Sequence, residues 1–312
     1  MIETLLKWLI SFLLFSTNTN PSSAETLYFS PIPKAEIELA TTVASPIETF
    51  VSVATVSSPP IQIGSPKPEI ATSKPEVVIN NIPPNAGKYS KQSVKTDSGI
   101  FTVSLVGADA TNTKIIVDTA SNADCNKDCP VLSLKDYVSK NGGWAGINGT
   151  YFCPKEYPTC VGKENSFDLL VMNKDKYYFN SNNNIYSTNP AVIFGSGYIR
   201  FVNSGNQWGR DTSVNGVLMN YPLMIFNGEL KFNGDGDTKK GSKGSRSFVA
   251  NKGSVVYIGV TQNVTVAENA LVMKALGMEN ALNLDSGGST ALWYGGYKIG
   301  PGRNIPNAII FK

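Results

Sequence analysis

The chain has 312 residues, 41% of them hydrophobic and 16% charged, with 27 Lys and Arg against 24 Asp and Glu, which suits a soluble protein of one or two domains. It contains no histidine, and this excludes Ser-His-Asp and Cys-His catalysis together with any His-based zinc site. The charge is unevenly spread: residues 91–312 hold 22 basic and 17 acidic side chains (+5), leaving 5 and 7 (−2) for residues 1–90. That balance suits an anionic ligand, but the basic residues are too scattered to form a stripe, so no nucleic-acid partner is expected.

In chain order, Lys7 and the apolar run 8–15 precede Pro21-Ser22-Ser23-Ala24, the pattern of a secretory signal peptide over residues 1–24. The apolar run is far short of the roughly 20 residues that a membrane-spanning helix needs. Residues 25–90 alternate Ser, Thr, Val and Ala with repeated prolines, among them Pro59-Pro60 and Pro83-Pro84. Proline removes backbone donors and fixes φ, so this stretch reads as a disordered linker and a possible tether for envelope association. The protein is accordingly expected to be exported: secreted, periplasmic or tethered to the cell envelope.

From about residue 91 the texture changes to short apolar runs separated by turn signals. Expected strands are 101–106, 114–118, 144–147, 168–172, 191–194, 198–202, 217–219, 223–226, 247–250 and 255–260, with a terminal strand at 308–311. Asn227-Gly228 and Gly295-Gly296 suit tight hairpins, which need positive φ. One helix is expected over 133–140. A second starts at Thr265, where Thr265 and Glu268 form a capping box, and stops at Gly277. The fold class is therefore α+β, a single strand-rich domain over 91–312 with a mixed or antiparallel sheet and few helices.

All four cysteines, Cys125, Cys129, Cys153 and Cys160, fall in this domain. An even count in an exported protein favours disulfides, and the sequence-local pairs are the simplest connectivity. Spacings of three and six intervening residues fit zinc ribbons poorly.

Several stretches can carry chemistry. In Asn283-Leu284-Asp285-Ser286-Gly287-Gly288-Ser289-Thr290, a carboxylate ends an apolar strand beside two glycines, whose backbone lets a ligand approach closely. The amides that follow can form an anion-binding nest. A plain Asp-Ser-Gly-Gly turn is an equally good reading. Asn148, in Gly146-Ile147-Asn148-Gly149-Thr150, offers a donor and an acceptor. Only four arginines exist, and two of them, Arg246 and Arg303, sit in Gly-containing loops beside strand ends, where a guanidinium can grip phosphate. Asn233-Gly234-Asp235-Gly236-Asp237 has the alternating oxygens of a calcium loop, but Thr238 stands at its glycine position and Gly244 where a bidentate Glu belongs. No cofactor is expected, calcium at that loop being the one exception to consider.

In sequence order, Ala145–Phe152, Pro222–Gly228, Ser245–Ala250, the capped helix 265–277, Ala281–Thr290 and Arg303–Ile310 together resemble the phosphodiester glycosidase family. The resemblance covers residues 91–312 and implies an α+β fold that hydrolyses a sugar-1-phosphodiester at the anomeric carbon. It places Asn148, Arg246, Asp285, Gly287, Gly288 and Arg303 at the site; Thr150 and Ser286, which stand in the same motifs, are expected to complete the substrate-binding set, and no metal is expected. One departure is Ser286, which stands where the family usually has glycine. The roles expected here are Asp285 as nucleophile or water-activating base, Arg246 as clamp on the departing phosphate, Arg303 as its assistant and Asn148 as the group that orients sugar or phosphate. Asp168 and Glu164 are alternative carboxylates. The lack of His is no obstacle, because a departing phosphate needs cationic stabilisation more than protonation. The competing reading is a non-catalytic carbohydrate-binding or sugar-phosphate-binding envelope module on the same fold.

Overall fold

The computed structural model describes residues 77–181 and 186–312. The expected signal peptide and most of the expected linker lie outside them. The ordered fold starts ahead of residue 91: β1 (Tyr89–Thr96) pairs antiparallel with β2 (Gly99–Asp109). Before it, the Gln92 amide donates to the carbonyls of Asn80 and Ile82, and the Asn80 amide bonds to the carbonyl of Ser93. With a single parallel bridge between Ile79 and Ser93, these bonds dock the segment on β1.

The remaining strands are β3 (Ile115–Thr119), β4 (Ala145–Asn148), β5 (Val171–Met172), β6 (Tyr178–Phe179), β7 (Ala191–Phe194), β8 (Ile199–Val202), β9 (Gly216–Met219), β10 (Leu223–Phe226), β11 (Glu229–Leu230), β12 (Gly244–Lys252), β13 (Val255–Val264), β14 (Asn280–Asn283), β15 (Leu292–Tyr294), β16 (Tyr297–Ile299) and β17 (Asn307–Phe311). Among the described residues the α-helical elements are α1 (Leu134–Asn141), a single turn α2 (Thr238–Gly241) and α3 (Val266–Ala275). The expected strand at 168–172 shortens to Val171–Met172. The expected single sheet is three, all pairings within them antiparallel, in the orders β1-β2-β13-β12-β14-β10-β11, β16-β15-β4-β17-β3 and β6-β5-β9-β7-β8.

Period-2 alternation explains how the seven-stranded sheet is buried on both faces. On β12, Phe248 and Ala250 pack with Val266, Ala270 and Met273 of α3. Val249 points the other way, into a core shared with Val117, Ile147, Leu218 and Ile309 from the other two sheets. The ends of α3 follow the local chemistry: Thr265 accepts from the Glu268 amide, Glu268 reaches back to the Thr265 amide, and Gly277 turns the chain at φ +70°. Helix α1 is likewise capped by Ser133. The hairpin β10–β11 turns at Asn227 (φ +51°) and Gly228 (φ +76°).

Candidate active site

Helix α3 delivers the chain into β14, whose last residue, Asn283, pairs with Phe248 of β12. Beyond it the chain leaves the first sheet for the second, because the Asp285 amide bonds to the carbonyl of Gly149, just past the end of β4. Asp285 therefore sits where the two sheets meet. A turn of 3-10 helix, Gly287–Ser289, follows it.

Asn148 secures this crossing. Its Nδ2 donates to the Asp285 carbonyl at 2.6 Å, and its Oδ1 accepts from the Ser247 hydroxyl at 2.9 Å and the Ala291 amide at 3.1 Å. Asn148 and Ser247 are both fully buried. Net, such a bond adds little, but a buried polar group left unpaired costs about 1–3 kcal/mol. Asn148 thus holds the Asp285 loop through contacts that leave its carbonyl oxygen doubly occupied. Ser286 ties the same loop to β12: its hydroxyl donates to the Leu284 carbonyl at 3.2 Å and accepts from the Ser247 amide at 3.3 Å.

The Asp285 carboxylate accepts from the Ser286 amide at 2.8 Å, so the plain-turn contact exists within the site. Burial pushes its pKa up to about 6, and the negative charge of Asp168 adds to that. The Ser289 hydroxyl, the Ser286 amide and the charge of Arg303 pull in the opposite direction. Desolvation wins, leaving a carboxylate that titrates close to neutrality.

Arg303 reaches the loop through its backbone, its amide bonding to the Gly288 carbonyl at 2.8 Å. Its guanidinium lies against Gly288, where a Cβ would come within 2.2 Å of Nη2. A side chain there would have to push the guanidinium aside. Arg246 is nine-tenths buried on the first residues of β12, beside an irregularity in its pairing with β13. Its Nε donates to the Val264 carbonyl at 3.2 Å, while Nη2 donates to the carbonyls of Lys239 (2.8 Å) and Ser242. Among the described residues Nη1 has no partner of its own. Arg246 thus ties α2 and the following loop to β12, and its charge acts on Tyr151.

Thr150 is buried and donates to the Met219 carbonyl at 2.7 Å, so it braces the floor. Above that floor, Tyr151 and Tyr221 pack at 5.1 Å, and Asn283 Nδ2 donates to the Tyr151 hydroxyl at 2.7 Å. Burial and the charge of Asp285 push the Tyr151 pKa well up, so its phenol stays protonated. Neither tyrosine has a sequence signal of its own, whereas Asn283 opens the 283–290 motif.

Of the alternative carboxylates, Asp168 lies within electrostatic reach of Asp285 and faces a polar pocket of about 280 Å³ with Asp124, Lys163 and Ser166. Burial raises its pKa, partly offset by Lys163 and Lys239. Glu164 instead accepts from the Gly162 amide within its own loop. A larger cleft, about 510 Å³, is lined by the 233–237 loop and α2 but by none of Asp285, Arg303 or Asn148. In that loop Asp235 pairs with Lys240, and Asp237 caps α2 by accepting from the Lys240 amide. The described residues contain no group of three or more acidic or Cys side chains placed to hold a metal ion. Both expected disulfides are present, Cys125–Cys129 and Cys153–Cys160.

The sequence profile of phosphodiester glycosidases matches residues 141–312, more than half of the chain. The chain belongs to the phosphodiester glycosidase family. The matched span contains Asn148, Thr150, Arg246, Asp285, Ser286 and Arg303 but neither Asp124 nor the Cys125–Cys129 disulfide. Among solved structures, the catalytic domain of zebrafish N-acetylglucosamine-1-phosphodiester α-N-acetylglucosaminidase, auto-inhibited by its pro-peptide, is similar at 14% identity and a TM-score of 0.55. That similarity covers 72% of this chain and 81% of the zebrafish one. A hypothetical protein from Synechocystis is similar at 15% identity and a TM-score of 0.49, over 72% of this chain. The chain spans 61% of the length of that Synechocystis structure. At these identities the likeness concerns the fold. No curated protein sequence matches the chain.

Proposed function

We propose that the protein hydrolyses a sugar-1-phosphodiester at the anomeric carbon, releasing free sugar and a phosphomonoester. The observation that carries this reading is Asp285: a carboxylate with its pKa raised to about 6, held beside Arg303 at the crossing of two sheets. A base is most effective when its pKa lies near the working pH. Above pH 6 Asp285 is ionised and takes a proton from water as the water oxygen bonds to C1. The bond from C1 to the phosphate oxygen breaks with its electron pair going to the phosphate, which leaves as an anion. The departing group needs no proton, and Arg303, with the remaining nitrogen of Arg246, stabilises the charge. This is why one carboxylate and cations suffice where ordinary glycosidases need a carboxylate pair.

Asn148 and Ser286 fix the carboxylate's backbone, while Gly287 leaves the approach open and Gly288 lets Arg303 lie against the loop. The tyrosine pair 151 and 221 offers a face for a sugar ring. Two disulfides fit an oxidising compartment, and no helix among the described residues is long and apolar enough to cross a membrane. The disulfides favour an exported enzyme, and action on cell-envelope or exopolysaccharide glycans is part of the same proposal.

Product analysis tests the reading. With the methyl phosphodiester of N-acetylglucosamine 1-phosphate, the protein should release free N-acetylglucosamine and methyl phosphate, at a rate that EDTA leaves unchanged. Release of N-acetylglucosamine 1-phosphate and methanol, or tight binding without turnover, would refute it, the latter in favour of a sugar-phosphate-binding module.

A further inference from the structure

The disulfide Cys153–Cys160 closes a short loop, stiffened by the bond from the Tyr157 amide to the Pro154 carbonyl. Two of its side chains reach the site from outside. Glu156 forms an ion pair with Arg303 at 3.1 Å, and the Arg303 guanidinium lies over the Tyr157 ring at 5.2 Å. A second cation shares that ring: Lys239 Nζ stands 5.9 Å from its centre. Lys239 is not there by accident of a loose loop, because Arg246 binds its carbonyl.

An aromatic face attracts cations through its quadrupole, and it holds a guanidinium while leaving the N–H edges free. Two cations on one ring repel each other, which favours an anion between or beside them. In the free protein Glu156 pairs directly with Arg303, its side chain 65% exposed against 20% for that of Arg303, while the charges of Asp285 and Asp168 also act on Arg303 and Lys239 respectively. An ion pair so exposed is weak and easily exchanged. Tyr157 itself is 44% exposed, so the ring is open to a ligand.

We propose that Tyr157, Arg303 and Lys239 form the anion subsite for the departing group, and that Glu156 is the internal anion the substrate phosphate displaces. The subsite would then distinguish substrates by charge: two cations match a diphosphate-linked sugar better than a singly charged diester. Tyr157 acts as a positioning residue that keeps Arg303 in place once Glu156 has left. This rests on the phosphodiester glycosidase reading for the identity of the substrate, but anion binding can be measured without turnover.

Calorimetric titration of the full chain with inorganic phosphate and with pyrophosphate tests it directly. Pyrophosphate should bind about tenfold more tightly than phosphate, and Glu156→Gln should tighten both by about threefold, since it removes a competing exposed ion pair. Tyr157→Ala should weaken both, Tyr157→Phe should retain binding, and added salt should weaken every variant. In turnover, Glu156→Gln should lower KM for UDP-N-acetylglucosamine with kcat little changed. If Glu156→Gln leaves phosphate affinity unchanged or weaker, or Tyr157→Ala binds like the parent, the proposal is wrong. If these shifts appear but no diester is hydrolysed, the subsite stands and the catalytic reading falls.

Discussion

The Asp285 loop and the disulfide-closed loop 153–160 meet at Arg303 but are held in opposite ways. The first is fixed from beneath by buried bonds from Asn148, by Ser286, and by the Asp285 amide on Gly149. The second touches the site through exposed side chains alone, Glu156 on Arg303 and Tyr157 beside two cations. Desolvated bonds hold a reacting group to a fraction of an ångström, which chemistry demands. Exposed ion pairs hold little and rearrange readily, which suits recognition of a variable charged group.

The comparison predicts that changes to the inner loop affect rate and folding, while changes to the outer loop affect affinity. The largest effect is expected from Asp285→Asn, which should lower kcat by about 10²–10⁴-fold, the usual contribution of a positioned base. It should also report the cost of keeping that charge buried. The folded pKa of about 6 lies above the ordinary 3.8, so the group's favourable contribution is complete below the unfolded value and is lost as pH rises through 6. Asp285→Asn should therefore raise stability at pH 7 by about 1–3 kcal/mol and give no gain at pH 4, as read by chemical denaturation. For the parent enzyme, kcat/KM should fall about tenfold for each pH unit below 6.

Next in size is Asn148→Ala, which leaves the Asp285 carbonyl and the Ser247 hydroxyl unpaired in the interior. Destabilisation of about 1–3 kcal/mol and a drop in kcat are expected. An unchanged kcat in a folded Asn148→Ala protein would show that the inner loop does not depend on its pin. The smallest expected effect on turnover is that of opening Cys153–Cys160 by replacing both cysteines with serine. KM should rise severalfold while kcat holds. A collapse of kcat instead would mean that the outer loop carries part of the chemistry.

Much of this architecture is legible in the sequence wherever the signal is local. The runs Ala191–Phe194 and Leu223–Phe226 are apolar and bounded by turn residues, and they form strands with those limits. Thr265 with Glu268, and Gly277, mark the ends of α3 because capping is decided within one turn. Strand β1 is hidden because Tyr-Ser-Lys-Gln-Ser-Val-Lys-Thr is an edge strand with little to bury; Val94 is its one fully buried apolar side chain. The division into three sheets is not legible, since pairings such as β2 with β13 join residues some 150 apart.

The candidate site divides along the same line. Asp285, Arg303 and their glycines stand in recognisable motifs, and the structure brings them together. Asn148 also comes to the site, and Arg246 acts on it through Tyr151, but their hydrogen bonds go to backbone carbonyls and neighbouring side chains. Composition alone cannot reveal that use. Glu156, Tyr157 and Lys239 belong to no motif. The one available signal was the cysteine pair bracketing 153–160, which marks a loop worth holding in place.

The central claim is that water attacks carbon rather than phosphorus, with Asp285 as the base. Hydrolysis of the methyl phosphodiester of N-acetylglucosamine 1-phosphate in ¹⁸O-labelled water tests it most directly, by mass analysis of the methyl phosphate released. Unlabelled methyl phosphate, formed by the parent enzyme and nearly abolished in Asp285→Asn, is the predicted result; ¹⁸O in the methyl phosphate, or undiminished turnover by Asp285→Asn, would contradict it.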